Sequence, residues 1–326
     1  NAWEAATPGN QFVVQGGPAL VFGIQLTENF RNELQDDQFA AGLLPDCDKN
    51  NNGIVDDPAE RDSIECMPSV PRAFVVSAYS GDIATWNSLN VNGLSIDNAP
   101  DNSTVNLCRR RAGSGTHAQM MVEFHATNCI DGSPAMVDSN PSGGLFGGEP
   151  KVYTNSGSSD QSDCLEALAT GNGFNGDFTN ADPNEGDGDS DIVPVGLQAY
   201  GMAYNSLEKN TGDGANLRPN HFVKIDGIAP TLENAFNGDY EDVYQLSYQH
   251  RADSSGNPDL RQGGIRTAAA TATEVAAVKA FFEVWTATTA DAVAEVNSGL
   301  FVDPDGIDGN GDEWQGGFLV PSNAAA

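Results

Sequence analysis

Short apolar runs alternate along this chain with long polar stretches rich in glycine. Some runs have the consecutive or alternating apolar residues of β-strands: 11–24, 105–110, 195–205, 221–227 and 243–251. Glycines in the first and third of these predict a turn between two strands. Other runs have the apolar spacing of amphipathic helices: 26–44, with Thr27 as its N-cap, 116–126, 230–240 and 271–288. Because strands and helices alternate, the pattern predicts an α/β protein.

Two further regions have a weaker pattern. Residues 72–89 fit either a short helix or a strand, followed by a turn and a segment anchored by Trp86. From 130 to 192 the chain is mostly Gly, Ser, Asn and Asp, which predicts an extended excursion rather than a domain. Within it, only 151–156 and 164–169 carry clear structural signals.

Composition narrows the possible partners. The chain has 46 Asp and Glu against 15 Lys and Arg, a formal net charge of −31. Nucleic acids and anionic membrane surfaces require a basic footprint, so neither is an expected partner. No apolar run approaches the ~20 residues of a membrane-spanning helix. The charge suits a secreted, periplasmic or extracellular protein, and the start at Asn1 without a signal peptide suggests a processed form.

The five cysteines indicate disulfides in an oxidising compartment. Cys47 and Cys66 bracket a hydrophilic loop, and we expect them to be bonded. Of the other three, we expect Cys129 to pair with Cys164, which leaves Cys108 buried or paired outside this chain. A zinc site is the weaker alternative, because no C-x-x-C motif occurs and the four His are scattered.

The loop that these two cysteines would close, residues 45–68, is called the stapled loop below. Its spacing follows positions 1, 3, 5, 6, 7 and 9 of an EF-hand calcium loop, with Asp48, Asn50, Asn52, Gly53, the carbonyl of Ile54, and Asp56. Position 12 is Ala59 where an EF-hand has Glu, and Glu60 follows one residue late. The alternative is a solvated acidic loop. We expect a structural calcium ion.

Residues 109–116, RRRAGSGT, form what we call the glycine turn, between a predicted strand and a predicted helix. The free amides and the dipole at a helix start favour an anion, Ser114 and Thr116 add hydroxyls, and an arginine can fork onto two oxygens. The alternative is a tight turn with Ser114 or Thr116 as N-cap and arginines that tie acidic loops together. On spacing alone this alternative is the better explanation.

Three motifs favour the anion-binding explanation instead. Their order along the chain resembles the order of motifs in the periplasmic phosphate-binding proteins of ABC importers. The three motifs are AYSGDIATWNSL at 78–89, the glycine turn, and YGMAYN at 200–205. The resemblance covers most of residues 11–290. It implies a type II fold of two α/β lobes joined by crossing strands, here with long acidic insertions. It also implies that phosphate or a related oxyanion is bound in the second lobe by Arg110, Ser114, Gly115 and Thr116.

The chain departs from that family at two points. Ala112 stands where the family has an aspartate that braces the arginine and accepts a proton from phosphate. The family's opening strand and first ligand loop would precede residue 11, which implies an incomplete first lobe. We therefore expect a cleaved N-terminal fragment or another chain to complete the lobe, with the apolar tail residues 317–320 as a candidate donor.

Two functions and a domain division follow from the resemblance. The chain would be a secreted phosphate-binding-type protein or, alternatively, an extracellular self-assembling protein, a homo-oligomer or filament with a vestigial or split site. In neither case is it an enzyme. The expected divisions are 1–104 for the partial first lobe, 105–205 for the second lobe, 206–296 for the return to the first lobe, and 297–326 for an acidic tail.

Overall fold

The computed structural model describes residues 11–83, 85–86, 90–91, 94–95, 104–126, 135–137, 150–175, 192–209, 218–252 and 318–319. The helix predicted at 271–288 and the cysteine at position 129 lie outside these residues.

Helices and strands alternate through the described chain. The strands are β1 (Gln11–Thr27), β2 (Ser69–Val70), β3 (Asn90–Val91), β4 (Leu94–Ser95), β5 (Asn106–Arg110), β6 (Lys151–Asn155), β7 (Phe174–Asn175), β8 (Ile192–Val193), β9 (Gly201–Ser206), β10 (Asn220–Phe222), β11 (Lys224–Ile225), β12 (Val243–Ala252) and β13 (Phe318–Leu319). The helices are α1 (Glu28–Ala40), α2 (Pro58–Arg61), α3 (Arg72–Tyr79), α4 (Gly115–Glu123), α5 (Ser158–Thr170) and α6 (Leu232–Asn237). The protein is therefore α/β, as its sequence predicts.

The chain divides into two units, residues 22–242 and residues 1–21 with 243–326. In the first unit, five strands form a mixed sheet in the order β10-β1-β9-β5-β6. β5 is parallel to both β9 and β6, whereas β1 is antiparallel to β9 and β10. The predicted two-lobed arrangement, its incomplete first lobe and the four domain ranges stay predictions.

In the second unit, the first part of β1 pairs antiparallel with β12, and its register shifts between Gly16 and Ala19. The glycines therefore make an irregularity within one continuous strand, and the turn predicted inside residues 11–24 is wrong. β13 of the tail pairs with Pro18 and Ala19 of β1 in the same chain.

The part of β1 that belongs to the first unit is central in its sheet and buried on both faces. Gln25 lies there with no exposed surface, and its amide group is satisfied on both sides. Its Nε2 donates to the carbonyl of Lys209 (2.9 Å), and its Oε1 accepts from Asn205 (3.3 Å). Gly23 is required for close packing, since a Cβ there would lie 3.0 Å from the ring of Phe222.

Helix α1 begins where β1 ends, with Thr27 at the predicted N-cap position. The Thr27 hydroxyl does not cap the helix; it accepts a hydrogen bond from the amide of Gly201 (3.1 Å) instead. Phe30 and Leu34 of α1 are fully buried, as the apolar spacing predicts. Phe30 stacks on Tyr200 with ring centroids 4.8 Å apart, which fixes α1 against the start of β9.

The stapled loop is fastened to the polar side of α1. Gln35 donates to the carbonyls of Arg61 (2.7 Å) and Cys66 (2.8 Å), and Gln38 exchanges two hydrogen bonds with the backbone of Ser69 (2.8 and 2.9 Å). The loop also has a small apolar core, formed by Leu44, Cys47, Val55 and Cys66 with Phe39 packed against it. The side chains of Gln35 and Gln38 therefore hold this loop, including both of its cysteines, against α1.

Two disulfides occur in the described chain. One joins Cys47 to Cys66, the pair that the sequence predicts. The other joins Cys108 to Cys164, so the predicted Cys129–Cys164 pair is wrong. Helix α5 packs across β5, which brings the Cα atoms of Cys108 and Cys164 to 6.0 Å, within the usual range for a disulfide. Both cysteines are fully buried in the cluster between the helix and the sheet.

We predict that replacing both Cys108 and Cys164 by Ala lowers the free energy of unfolding by about 2–4 kcal/mol, because the bond closes a long loop in the unfolded chain. Urea denaturation measures the change. Mapping of non-reduced peptides should recover a peptide that joins these two cysteines; one that joins Cys129 to either of them would contradict the structure.

A second prediction concerns His221 of β10, whose Nδ1 lies 3.7 Å from a carboxylate oxygen of Asp62. Burial lowers the pKa of His221 to about 4, and the neighbouring Arg31 adds to that shift. Between pH 6.5 and about 4, the unfolded chain therefore takes up a proton here that the folded chain does not. Acidification through this window should cost about 2–3 kcal/mol of stability through this residue.

The measurement compares urea unfolding of the wild type and His221→Gln at both ends of that pH window. The difference between the two proteins isolates the histidine from the many carboxylates of the chain. An equal loss of stability in both proteins would contradict the prediction.

Candidate functional site

The candidate site lies where β5 and β6 leave the sheet at the same edge. The two strands are parallel, and Arg110 is paired in register with Asn155. Each strand leads through a short turn into a helix, α4 after β5 and α5 after β6. Two helix N-termini therefore stand side by side at the carboxyl ends of neighbouring strands, the usual position of a ligand in an α/β sheet.

The glycine turn closes tightly onto the start of α4. Gly113 has a φ of +84°, a conformation that favours glycine, and the amide of Ser114 donates to the carbonyl of Arg111 (3.2 Å). Ser114 is the N-cap, because its hydroxyl accepts from the amide of His117 (3.4 Å). Among the described residues, the amides of Gly115 and Thr116 have no hydrogen-bond acceptor, as expected for a first helical turn.

The three arginines of the turn have different environments. Arg109 is buried and donates to the carbonyl of Val137. Arg110 donates to the hydroxyl of Ser158 (2.7 Å) and to the carbonyl of Ser156, both at the start of α5. Burial lowers the pKa of Arg110, and the carboxylate of Asp160 partly offsets this. Arg111 is exposed. Two of these arginines thus tie loops together, as the alternative explanation of the turn predicts.

The start of α5 is already filled by a carboxylate of the chain itself. An oxygen of Asp160 accepts from the amide of Gly157 (2.7 Å) and from the hydroxyl of Ser156 (2.9 Å). The start of α4 has only the hydroxyl of Ser114 in the equivalent role. Of the two helix starts, α4 is therefore the one with free capacity for an anion.

A small hollow lies beneath the first turn of α4. It has room for about one water molecule. Side chains from several elements line it: Tyr79, Arg109, Arg110, Thr116, His117, Met120, Met136, Gln161 and Tyr204. The positions predicted for anion binding contribute Arg110 and Thr116 to this lining, whereas Ser114 and Gly115 lie on the turn itself.

Three uncharged side chains that line the hollow each have a buried polar atom without a hydrogen-bond partner within the described part of the chain. These atoms are the hydroxyl oxygens of Tyr79 and Tyr204 and the amide oxygen of Gln161. Each of these side chains is at most 2% exposed. Burial raises the pKa of both tyrosines well above the ordinary value, so their hydroxyls remain protonated and can donate. An unpaired buried polar atom is costly, which marks the hollow as a place where a polar group would be stabilised.

The NH2 group of the Gln161 side chain fixes the orientation of the amide. Its Nε2 donates to the carbonyls of Cys108 (2.7 Å) and Tyr204 (3.0 Å). Its oxygen must therefore be the free atom, and it can only accept. Tyr79 and Tyr204 lie in two of the motifs quoted from the sequence but were given no role there, and Gln161 lies in none of them. The three residues belong to separate elements that meet only in the folded chain.

The predicted calcium residues lie together on the stapled loop. Carboxylate oxygens of Asp48 accept from the amides of Asn52 (3.0 Å) and Gly53 (2.7 Å), and the side-chain oxygen of Asn52 accepts from Ile54 (3.0 Å). The side-chain oxygen of Asn50 also accepts from the amide of Asn52. The described residues contain no cluster of three or more His, Cys, Asp or Glu arranged to hold a metal ion. A cation here would need amide and carbonyl oxygens as well as carboxylates.

No family model and no curated protein matches this chain. Similar solved structures include a protein assigned as a phosphate ABC transporter substrate-binding protein, with bound phosphate, from Clostridium perfringens. It is 12% identical, with 87% of this chain and 70% of that chain covered and a TM-score of 0.40.

Two other similar structures are an ABC-type phosphate transport receptor from Vibrio cholerae and PstS from Borrelia burgdorferi. The first is 10% identical, with 88% of this chain and 72% of that chain covered and a TM-score of 0.41. The second is 10% identical, with 89% and 71% covered and a TM-score of 0.38. Nothing about the residues of this site follows from a likeness of this extent.

Proposed function

We propose that this chain is a non-catalytic binding protein that holds a phosphate-like oxyanion on the first turn of α4. The observation that carries the proposal is the hollow beneath that turn, where a buried polar atom on each of three uncharged side chains lacks a partner in the described chain. They lie next to a helix start whose own first amides are free. An anion at this position would satisfy both groups at once.

The size of the hollow defines how the anion would bind. It accepts a group of about the volume of a water molecule, which is that of a single oxygen atom. One oxygen would enter between the hydroxyls of Tyr79 and Tyr204. The others would remain at the mouth, with the amides of Gly115 and Thr116 and the hydroxyl of Ser114 as donors. These contacts suit a tetrahedral oxyanion better than a bulky organic ligand.

Local positive charge offsets the acidity of the chain at this point. Arg109 and Arg110 line the hollow, and Arg111 is exposed beside it. The α4 dipole adds the equivalent of about half a positive charge at its start. A net charge of −31 therefore does not prevent an anion from binding here, although it makes the affinity sensitive to ionic strength.

Gln161 gives the site a preference among oxyanions. Its free oxygen can only accept, so it would favour an anion that still carries a proton, such as hydrogen phosphate, over sulfate. In the family that the sequence resembles, an aspartate at the position of Ala112 accepts the proton of phosphate. In our proposal, Gln161 of α5 accepts this proton instead.

The two disulfides support a secreted, periplasmic or extracellular location, because such bonds persist in oxidising compartments. None of the helices in the described residues has the length and apolar character needed to cross a membrane. Self-assembly into an oligomer or filament stays a prediction of the sequence. The tail strand that was its candidate donor, β13, pairs with β1 of its own chain.

Calorimetry with sodium phosphate and sodium sulfate at neutral pH and low ionic strength tests the proposal. We expect one phosphate site, and weaker binding of sulfate. Thr116→Val keeps the side-chain shape and removes one donor, and Ser114→Gly removes another with little loss of helix capping. Each variant should weaken phosphate binding about tenfold, since a hydrogen bond to a charged group contributes roughly 1.5–3 kcal/mol.

The matched control is Ser159→Ala, which removes an exposed hydroxyl from the start of α5, where Asp160 already acts as the anion. This variant should bind phosphate as the wild type does. The absence of phosphate binding to the folded wild type would overturn the proposal, and so would an equal loss of affinity in Ser159→Ala and Thr116→Val.

A further inference from the structure

Glu60 has a buried carboxylate, and one of its two oxygens has no hydrogen-bond partner among the described residues. Its side chain is only 3% exposed, and its Oε1 accepts a hydrogen bond from the amide of Asn50 (3.0 Å). The other oxygen, Oε2, is buried without a partner among the described residues. A half-satisfied buried carboxylate is expensive, so a cationic partner here would be strongly stabilised.

The carboxylate reaches back over the loop that precedes it. The contact with Asn50 joins residues ten positions apart, so Glu60 lies against the same turn as the side chains of Asp48 and Asn52. The oxygens of Asp48 each accept one amide hydrogen bond, which leaves each of them a second lone pair. Within the described residues, no lysine or arginine pairs with Asp48, Asp56 or Glu60.

Helix α2 is what directs Glu60 towards this loop. The helix begins at Pro58, and the side chain of Asp57 caps it by accepting from the amide of Ala59 (2.8 Å). The next residue, Arg61, is fastened to α1 through Asp36 (2.9 Å). Because neighbouring residues of a short helix point in different directions, anchoring Arg61 on α1 leaves Glu60 on the loop side.

We propose that the stapled loop binds a calcium ion and that Glu60, in place of Ala59, supplies the carboxylate that closes the site. The carboxylates of Asp48, Asp56 and Glu60 are not gathered around one point in the described structure, so binding of the ion would draw them together. The other ligands are the side chains of Asp48, Asn50, Asn52 and Asp56 and the carbonyl of Ile54. Together they offer six oxygen-bearing groups, and calcium takes 6–8 oxygen ligands. Glu60 lies one residue later than the closing glutamate of an EF-hand loop. It can still reach the site, because α2 sets the position of Glu60.

The composition of this ligand set favours calcium over magnesium. Carboxylates, side-chain amides and a carbonyl provide the irregular oxygen shell that calcium accepts, whereas magnesium requires near-ideal octahedral geometry and retains water. A divalent cation would also offset the mutual repulsion of Asp48, Asp56 and Glu60. It would thereby hold the loop against α1 together with the Cys47–Cys66 bond.

The experiment uses the full chain after treatment with a chelator. Calcium chloride is titrated by calorimetry, and thermal unfolding is followed with and without the ion. We expect one calcium site in the wild type and a higher melting temperature when it is filled. Glu60→Gln and Asp48→Asn should each weaken calcium binding by roughly tenfold or more, because calcium affinity depends on the number of charged ligands.

Glu65→Gln is the matched control, because Glu65 belongs to the same loop but is exposed and pairs with Lys49 (3.1 Å). It changes the charge by the same amount and should leave calcium binding unaltered. In chelator, Glu60→Gln should melt no lower than the wild type, because it removes an unpaired buried charge. A purely structural role for Glu60 predicts the opposite.

Three results would overturn the proposal. The first is a melting temperature of the wild type that calcium does not change, together with no heat of binding. The second is unaltered calcium affinity in Glu60→Gln. The third is an equal affinity of the wild type for magnesium chloride, which would reject the assignment of the ion to calcium.

Discussion

The parallel pairing of β5 with β6 is the constraint on which the candidate site depends. Because Arg110 and Asn155 are in register, both chains leave the sheet at the same level. The two following helices then start next to each other, and Arg110 reaches the turn that begins α5. Any other register would separate the two helix starts. The hollow is lined by residues of α4, α5 and the end of α3.

The two helix starts at this edge differ in how their free amides are satisfied. Asp160 brings a full negative charge to α5, whereas Ser114 brings only a neutral hydroxyl to α4. Charged acceptors at a helix N-terminus interact more strongly with the free amides and the dipole than neutral ones. The chain thus closes one helix start with its own carboxylate and leaves the positive potential of the other open.

The arginines of the glycine turn reconcile the two explanations that the sequence left open. Arg109 and Arg110 bind carbonyl and hydroxyl oxygens of neighbouring segments, so they do tie loops together. They also remain in the lining of the hollow, where their charge acts on any group that enters it. A structural contact and a contribution to the local potential are compatible, because the field of a guanidinium extends beyond the atoms that it donates to.

Sequence alone determined the features that depend on a few neighbouring residues. The bond between Cys47 and Cys66 and the helix–strand alternation follow from local spacing, and the choice of N-cap for α4 was narrowed to Ser114 or Thr116, of which the structure has Ser114. Only the tertiary structure decided that Cys164 pairs with Cys108, and that Gln161 faces the same hollow as Tyr79. Those contacts join segments far apart in the chain, so their energies depend on strand order and helix packing, which no short window of sequence contains.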